Sequence, residues 1–199
     1  AIEMTAPGSG PSTAASFVNT VGIALGSVQQ IAEDVAAYRS ELETQTKSTT
    51  DRINELLSQI HSSNVAVAGT GGTASGAADQ RYNAIQELGG LMDIVIRQQA
   101  NGAVNIETAN GAVLVDNHAR QISYPDMAIR FTDSKGQPAA ATGEVLNLTN
   151  IGGKLGGYAN IRDEVIPSFL DRLNSVGEAL AGELNSASNK LSQVPAPGV

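Results

Sequence analysis

The fold is decided by residues 12–67, STAASFVNTVGIALGSVQQIAEDVAAYRSELETQTKSTTDRINELLSQIHSSNVAV, which read as one very long helix. Apolar or small residues recur at Phe17, Val21, Ala24, Val28, Ile31, Val35, Tyr38 and Leu42 in alternating steps of four and three. After a polar gap at Gln45 and Thr49 the stripe resumes at Ile53, Leu56, Ile60 and Val67. Such steps keep one face of an α-helix apolar. No proline interrupts the run, and Pro11-Ser12-Thr13 is a start signal. At 1.5 Å per residue the helix spans roughly 80 Å. The one-residue slip across Gln45–Ile53 follows a straight 3.6-residue helix rather than a strict heptad supercoil. A stripe this long needs other helices beside it. The polar gap predicts a compliant segment at Gln45–Thr50, exchanging its amides faster than Val21–Leu42 or Ile53–Ile60.

Composition bounds what surrounds that helix. The chain has 199 residues, 4% of them aromatic, a net charge of −8 and no cysteine. That is enough for a real core, packed thinly between helices rather than around an aromatic-lined pocket. The acidic balance excludes nucleic-acid backbones and anionic membranes as partners. No run approaches ~20 continuous apolar residues, and no charged-apolar-small leader opens the chain. Without cysteine there are no disulfides, thiolate nucleophiles or thiolate metal sites. The opening, Ala1-Ile2-Glu3-Met4 followed by Gly/Ser/Pro-rich sequence, reads as a piece of a longer protein.

Residues 1–11 are too rich in glycine and proline for a regular element, and Gly69–Gly76 reads as a flexible loop after the long helix. A second helix is predicted over 77–91, with Tyr82, Ile85, Leu88 and Leu91 on one face. From Asp93 the period changes to two. Ala100-Asn101-Gly102-Ala103-Val104 supplies an Asn-Gly turn, and Ala109-Asn110-Gly111-Ala112-Val113 repeats the same letters nine residues on. Asn-Gly between alternating segments signals a hairpin, because both turn residues must accept positive φ. The pattern predicts strands near 93–98, 103–108, 112–116, 120–124, 127–132 and 144–149, the last two joined by Ser134–Pro138. A third helical stretch follows from Leu155 to Leu191, with Tyr158, Ile161, Val165, Phe169, Leu173, Val176, Leu180 and Leu184 as its stripe. Pro167 should kink or restart it.

The expected architecture is α+β: an elongated antiparallel helical bundle with a long N-terminal helix, plus a small antiparallel β-meander lobe. The bundle takes residues 12–92 and 152–193, the inserted lobe takes 93–151, and the ends 1–11 and 194–199 are loose.

Candidate chemistry is thin. Gly69-x-Gly71-x-x-Ala74 matches a dinucleotide-binding pattern, with Val65 and Val67 before it and Asp93 downstream. The would-be first strand continues a helical pattern, and Asp93 opens a strand instead of closing one, so a helix–helix loop is the better reading. His61 and His118 lack metal-ligand spacing, and His61 beside the seam reads as a solvated edge residue. No serine sits in a nucleophile elbow, and Gly153-Lys154 lacks P-loop glycines. Paired acids such as Glu41/Glu43 and Asp163/Glu164 fall on helices with basic neighbours, where solvated charge is the ordinary explanation. Asn147-Leu148-Thr149 matches a glycosylation acceptor inside a predicted strand. The reading is a non-enzyme without catalytic, cofactor or metal residues.

Two segments carry a family pattern. The first is Asp79-Gln80-Arg81 followed by Leu88, Leu91, Asp93-Ile94-Val95, Gly102, Val104, Ile106, Gly111 and Leu114-Val115. The second runs from Gly152-Gly153-Lys154-Leu155-Gly156-Gly157 through Arg162-Asp163 and Pro167 to Asn185. With the long helix, these resemble the flagellar hook-associated protein 1 family of hook–filament junction proteins, over about Phe17–Asn185. Tyr158-Ala159 stands where that family usually has leucines, and Tyr82 follows the D-Q-R motif in place of an acid. The resemblance implies a structural, secreted part of the bacterial flagellum, exported without a cleavable signal peptide. Its partners would be neighbouring copies, the hook protein and the second junction protein. The piece lacks the terminal coiled-coil segments and by itself is expected to be a monomer. The implied structural motif is Asp79, Gln80, Arg81, Leu155, Gly156, Gly157, Arg162 and Asp163. In this reading Arg162 and Asp163 pair with other helices, such as that of Asp79 and Arg81. Gly152, Gly153, Gly156 and Gly157 let the chain re-enter a helix with close backbone approach. A rival of another class is a secreted adhesin displaying the β lobe on a helical stalk.

Overall fold

The computed structural model describes residues 11–70, 74–132 and 138–192. Helix α1 runs Pro11–Gly69 without a break, and α2 runs Ser75–Leu91. Between them, 71–73 of the expected loop lie outside the described residues. Val65 and Val67 lie inside α1, so no strand leads into the glycine motif. Six strands follow: β1 Ile94–Gln98, β2 Val104–Thr108, β3 Val113–Val115, β4 Arg120–Ile122, β5 Ala128–Thr132 and β6 Pro138–Val145. They pair as two antiparallel three-stranded sheets, β1-β2-β3 and β4-β5-β6, each a meander in sequence order.

Both Asn-Gly repeats make hairpins as expected, but Asn101 and Asn110 keep negative φ and only the glycines take the left-handed conformation. Gly102 and Gly111 take φ of +80° and +86°. Each glycine N–H donates three residues back, to Gln99 O at 3.0 Å and Thr108 O at 2.9 Å.

The last strand departs from expectation. It begins at Pro138 rather than 144, and Leu148–Asn150 is a 3₁₀ turn instead of its end. Ala139-Ala140-Ala141 has no apolar alternation to read. At the far end Leu146 turns into the core and donates its N–H to Met127 O at 2.8 Å, which closes the ladder. The acceptor motif at Asn147 therefore lies after the strand, not within it. The expected loop at 134–137 lies outside the described residues.

The final helical stretch is α3 Gly153–Asn160, a π-helical turn Ile161–Val165, and α4 Ile166–Ser192. The π turn ends just before Pro167, whose missing N–H and bulky ring would disrupt a regular α-turn there. It also shifts the stripe. The covered positions become Leu155, Ala159, Ile166, Leu170, Leu173, Leu180 and Leu184, whereas Val165, Phe169 and Val176 are exposed.

By contacts the chain forms two compact units, 1–40 with 164–199 and 41–163. The continuous unit holds helical segments together with the strands that the sequence reading set apart as a lobe. One core explains this. Ile53, Leu56, Leu57 and Ile60 of α1 and Leu88 of α2 cluster with Val104, Ile106, Leu114, Ile122, Ile129 and Leu155. In the split unit Val21 and Ile166 are buried, while Phe17, Ala24, Val28 and Val35 are half-buried.

The seam departs from its expected pattern in two ways. Buried positions in α1 run Leu42, Thr46, Thr49, Ile53, Leu56, Ile60, Ser63 and Val67, a strict four–three alternation with heptad spacing. Thr46 occupies the seam and Gln45 is exposed. The polar gap is also packed rather than open, because Thr46, Thr49 and Thr50 are all buried. Thr46 Oγ1 donates to Leu42 O at 2.7 Å and Thr50 Oγ1 to Thr46 O at 2.9 Å. A threonine satisfied by its own helix can enter a core without an outside partner.

Candidate functional site

Two asparagines on α1 hold the two sheets. Asn54 Nδ2 donates to Ile122 O at 2.9 Å, and Ile122 N donates back to Asn54 Oδ1 at 2.8 Å. Ten residues on, Asn64 Nδ2 donates to Val104 O at 2.7 Å, and Val104 N returns to Asn64 Oδ1 at 3.0 Å. A carboxamide carries the donor and acceptor of a peptide group, so each asparagine extends a ladder where no strand continues it. Ile122 lies in β4, an edge strand, and Val104 lies beyond the reach of β3. Between them, His61 Nε2 lies 3.0 Å from Asn117 O. His61 is thus half-buried and tethered, correcting its reading as a solvated edge, whereas His118 is exposed. The signal for both asparagines was available: a poor helix former in a helix interior, one position from the apolar seam.

The D-Q-R motif divides. Arg81 Nη1 donates to Asn64 Oδ1 at 3.0 Å and to Gly102 O at 2.8 Å, locking the β1–β2 turn to both helices. Asp79 and Gln80 are exposed on α2. Arg81 meets neither Arg162 nor Asp163. Those two pair with each other, Nε–Oδ1 at 2.7 Å and Nη2–Oδ2 at 2.8 Å, inside the π turn. That replaces the expected pairing with the Asp79–Arg81 helix. The Arg162 hydrogen bond holds the Asp163 carboxyl below its ordinary value. A second tie between α1 and α2 is the bidentate pair of Arg52 and Glu87, with Nε–Oε1 at 2.7 Å and Nη2–Oε2 at 2.8 Å.

The return into α3 is the tightest corner. Asp93 N donates to Ile151 O at 2.7 Å, and Gly152 and Gly153 take φ of +60° and +57°. A Cβ on Gly152 would stand 2.1 Å from Asp93 Oδ2, and one on Gly153 2.7 Å from Leu91 C and Met92 N. Gly156 is closer to ordinary packing, its Cβ position 3.3 Å from Ile151 Cγ2, and Gly157 faces open space. The tight approach expected across four glycines therefore rests on Gly152 and Gly153. Leu155 is fully buried beneath them. Tyr158 Oη donates to Gln45 Oε1 at 2.6 Å, which gives the exposed Gln45 its place beside the seam.

Charges on the second sheet are partnered as well. Asp126 accepts from Ser123 Oγ, from Ala128 N at 3.3 Å and from Arg130 Nη2 at 3.0 Å, and these bonds hold its carboxyl below the usual range. At Asp116 burial pushes the carboxyl up. The Arg120 hydrogen bond and the His118 N–H, with the charge of the neighbouring Arg120 and His118, outweigh it, and the net shift is downward. Among the described residues no three His, Asp or Glu side chains are placed to hold a metal. No described helix is long and apolar enough to cross a membrane.

What this arrangement does is fix strands to helices with two-way amide pairs and a crowded glycine corner. It defines an α+β scaffold domain. A family model, the flagellar hook-associated protein FlgK helical domain, matches residues 5–191, and the chain belongs to that family. Among solved structures it is similar to the flagellar hook junction protein FlgK from Burkholderia pseudomallei, at 23% identity and a TM-score of 0.58. That likeness, which shows the fold, covers 68% of this chain and 26% of the other, so the chain spans about a quarter of its relative. No curated protein matches.

Proposed function

We propose that this chain forms part of the body of a flagellar junction protein, a structural piece that helps join hook to filament. The observation that carries the reading is the family match across 5–191. The chain works by protein–protein contact with neighbouring copies, the hook protein and the second junction protein, outside the cell. It is not an enzyme. The helical segments 12–92 and 152–193 serve as the bundle and 93–151 as the inserted strands. Arg81, Leu155, Gly156, Arg162 and Asp163 have structural roles, with Asp79, Gln80 and Gly157 on the outer surface. By itself the piece is monomeric. The test is deletion of the encoding gene in its motile host. Cells should keep hooks, lose filaments and stop swimming, and the intact gene, but not one lacking residues 41–163, should restore both. Filaments still attached in the deletion strain overturn the proposal.

A further inference from the structure

The repeated Ala-Asn-Gly-Ala-Val segments build two turns of the same kind in different surroundings, which allows their chemistry to be compared directly. In the β1–β2 turn, Asn101 Oδ1 accepts the N–H of Ala103 at 3.1 Å, which pins the carboxamide. The following Gly102 carbonyl is gripped by Arg81 Nη1 at 2.8 Å, and the Gly102 Cβ position lies 3.5 Å from Val67 Cγ1. In the β2–β3 turn the equivalent N–H, that of Ala112, donates instead to Thr108 Oγ1 at 3.0 Å. Threonine stands here where the first turn has Gln99, and its hydroxyl takes over the role of the asparagine side chain. Asn110 is an exposed residue, as Asn101 is, but its carboxamide makes no hydrogen bond among the described residues, and nothing lies within 4 Å of the Gly111 Cβ position.

We infer that Asn110 is a site of spontaneous deamidation and that Asn101 is protected from it by the fold. Asparagine is a thermolabile residue, and a following glycine presents no side chain to block ring closure. The Gly111 amide nitrogen attacks Cγ of Asn110. The new N–Cγ bond forms, the Cγ–Nδ2 bond breaks, and ammonia leaves with the proton that the backbone nitrogen gives up. Solvent water then opens the succinimide at either carbonyl, giving aspartate or isoaspartate with no electron transferred. In both turns the glycine N–H must first leave its bond to the carbonyl three residues back, so that requirement cancels. The free carboxamide and the unclamped glycine distinguish Asn110. Conversion adds a negative charge at the β2–β3 turn and, as isoaspartate, an extra backbone carbon.

The test is incubation of the intact protein at mildly alkaline pH, followed by digestion and tandem mass spectrometry of both turns. Asn110 should convert about fivefold faster than Asn101, or more, the factor that one net hydrogen bond supplies. In denaturant the two rates should converge, because the residues on either side of both asparagines are the same. Thr108→Val should slow Asn110, since the Ala112 N–H then becomes available to its carboxamide. Equal native rates, a faster Asn101, or a ratio that survives denaturant overturns the inference. So does an unchanged Asn110 rate in a folded Thr108→Val.

Discussion

Helix α1 passes through two environments that its sequence ranks in the wrong order. From Phe17 to Tyr38 the stripe is aliphatic or aromatic at nearly every step, yet Ile31 is 38% exposed and Tyr38 50%. From Leu42 to Val67 the buried face includes three threonines and a serine, yet Thr50 and Leu56 are both 0% exposed. Periodicity says which face of a helix is apolar. How much protein lies over that face is set by what folds onto it, and two sheets and two helices pack against the second segment. The polarity of that segment is tolerated because its hydroxyls and carboxamides are satisfied. Thr46 and Thr50 use their own helix, and Asn54 and Asn64 use strand backbones.

The sharpest way to break this comparison is to truncate one apolar side chain in each segment. Leu56→Ala opens a cavity in the main core and should lower unfolding free energy by about 2–5 kcal/mol. Ile31→Ala, on the exposed stripe, should cost about 1 kcal/mol or less. Denaturant melts of the two variants decide it. Equal losses would mean that the exposed stripe is covered.

Asn64→Leu should be next in size. It keeps the volume but leaves the Val104 N–H and C=O without partners, and an unsatisfied buried group costs about 1–3 kcal/mol. Amide exchange should then accelerate at Val104 and Gly102 before it does at Ile122, which Asn54 still holds. In the parent, protection should be greater over Thr46–Ile60 than over Val21–Tyr38. The reverse order would restore the compliant segment that the polar gap predicts.

Much of this was legible and the remainder has a common physical cause. The long helix, the second helix, both Asn-Gly hairpins and the restart at Pro167 follow from signals within one or two turns of chain. What the sequence concealed depends on residues far apart. Asn54 meets Ile122, and Asn64 meets Val104, across 68 and 40 positions. Nothing near Arg81 indicates that its partners are Asn64 and the Gly102 carbonyl. The glycine corner was half legible. Gly-Gly pairs at 152–153 and 156–157 look alike in sequence, but only the first pair has positive φ and a neighbour's atoms where a Cβ would stand.

That difference within the corner gives the third prediction. Gly153→Ala places a methyl 2.7 Å from the Leu91 and Met92 backbone at φ +57°, and strain of this kind costs about 1–3 kcal/mol. Gly157→Ala fills open space inside α3 and should raise stability by about 0.5–1 kcal/mol through helix propensity. Melting temperatures should move in opposite directions. A Gly157→Ala loss as large as that of Gly153→Ala would mean that the second pair is crowded as well.

Acid should produce the smallest effect, and the shifted carboxylates that carry it lie in the continuous unit. Asp116 and Asp126 have folded pKa values below their ordinary 3.8, through bonds from Arg120 and the His118 N–H in one case and from Ser123, Ala128 N–H and Arg130 in the other. The unfolded chain therefore takes up protons first as pH falls. The stability these carboxylates contribute is complete above about pH 3.8 and is lost progressively below it. Asp126 is solvent-exposed, so screening keeps its share small. Denaturant melts at pH 6 and at pH 3 should show a loss that shrinks in Asp126→Asn, because the variant no longer has that proton to gain. Asp116→Asn should flatten the slope further, since its partner Arg120 is the more buried of the two arginines. If both variants keep the full acid loss, the sensitivity lies at other carboxylates, and the bonds around β4 and β5 hold geometry without holding charge.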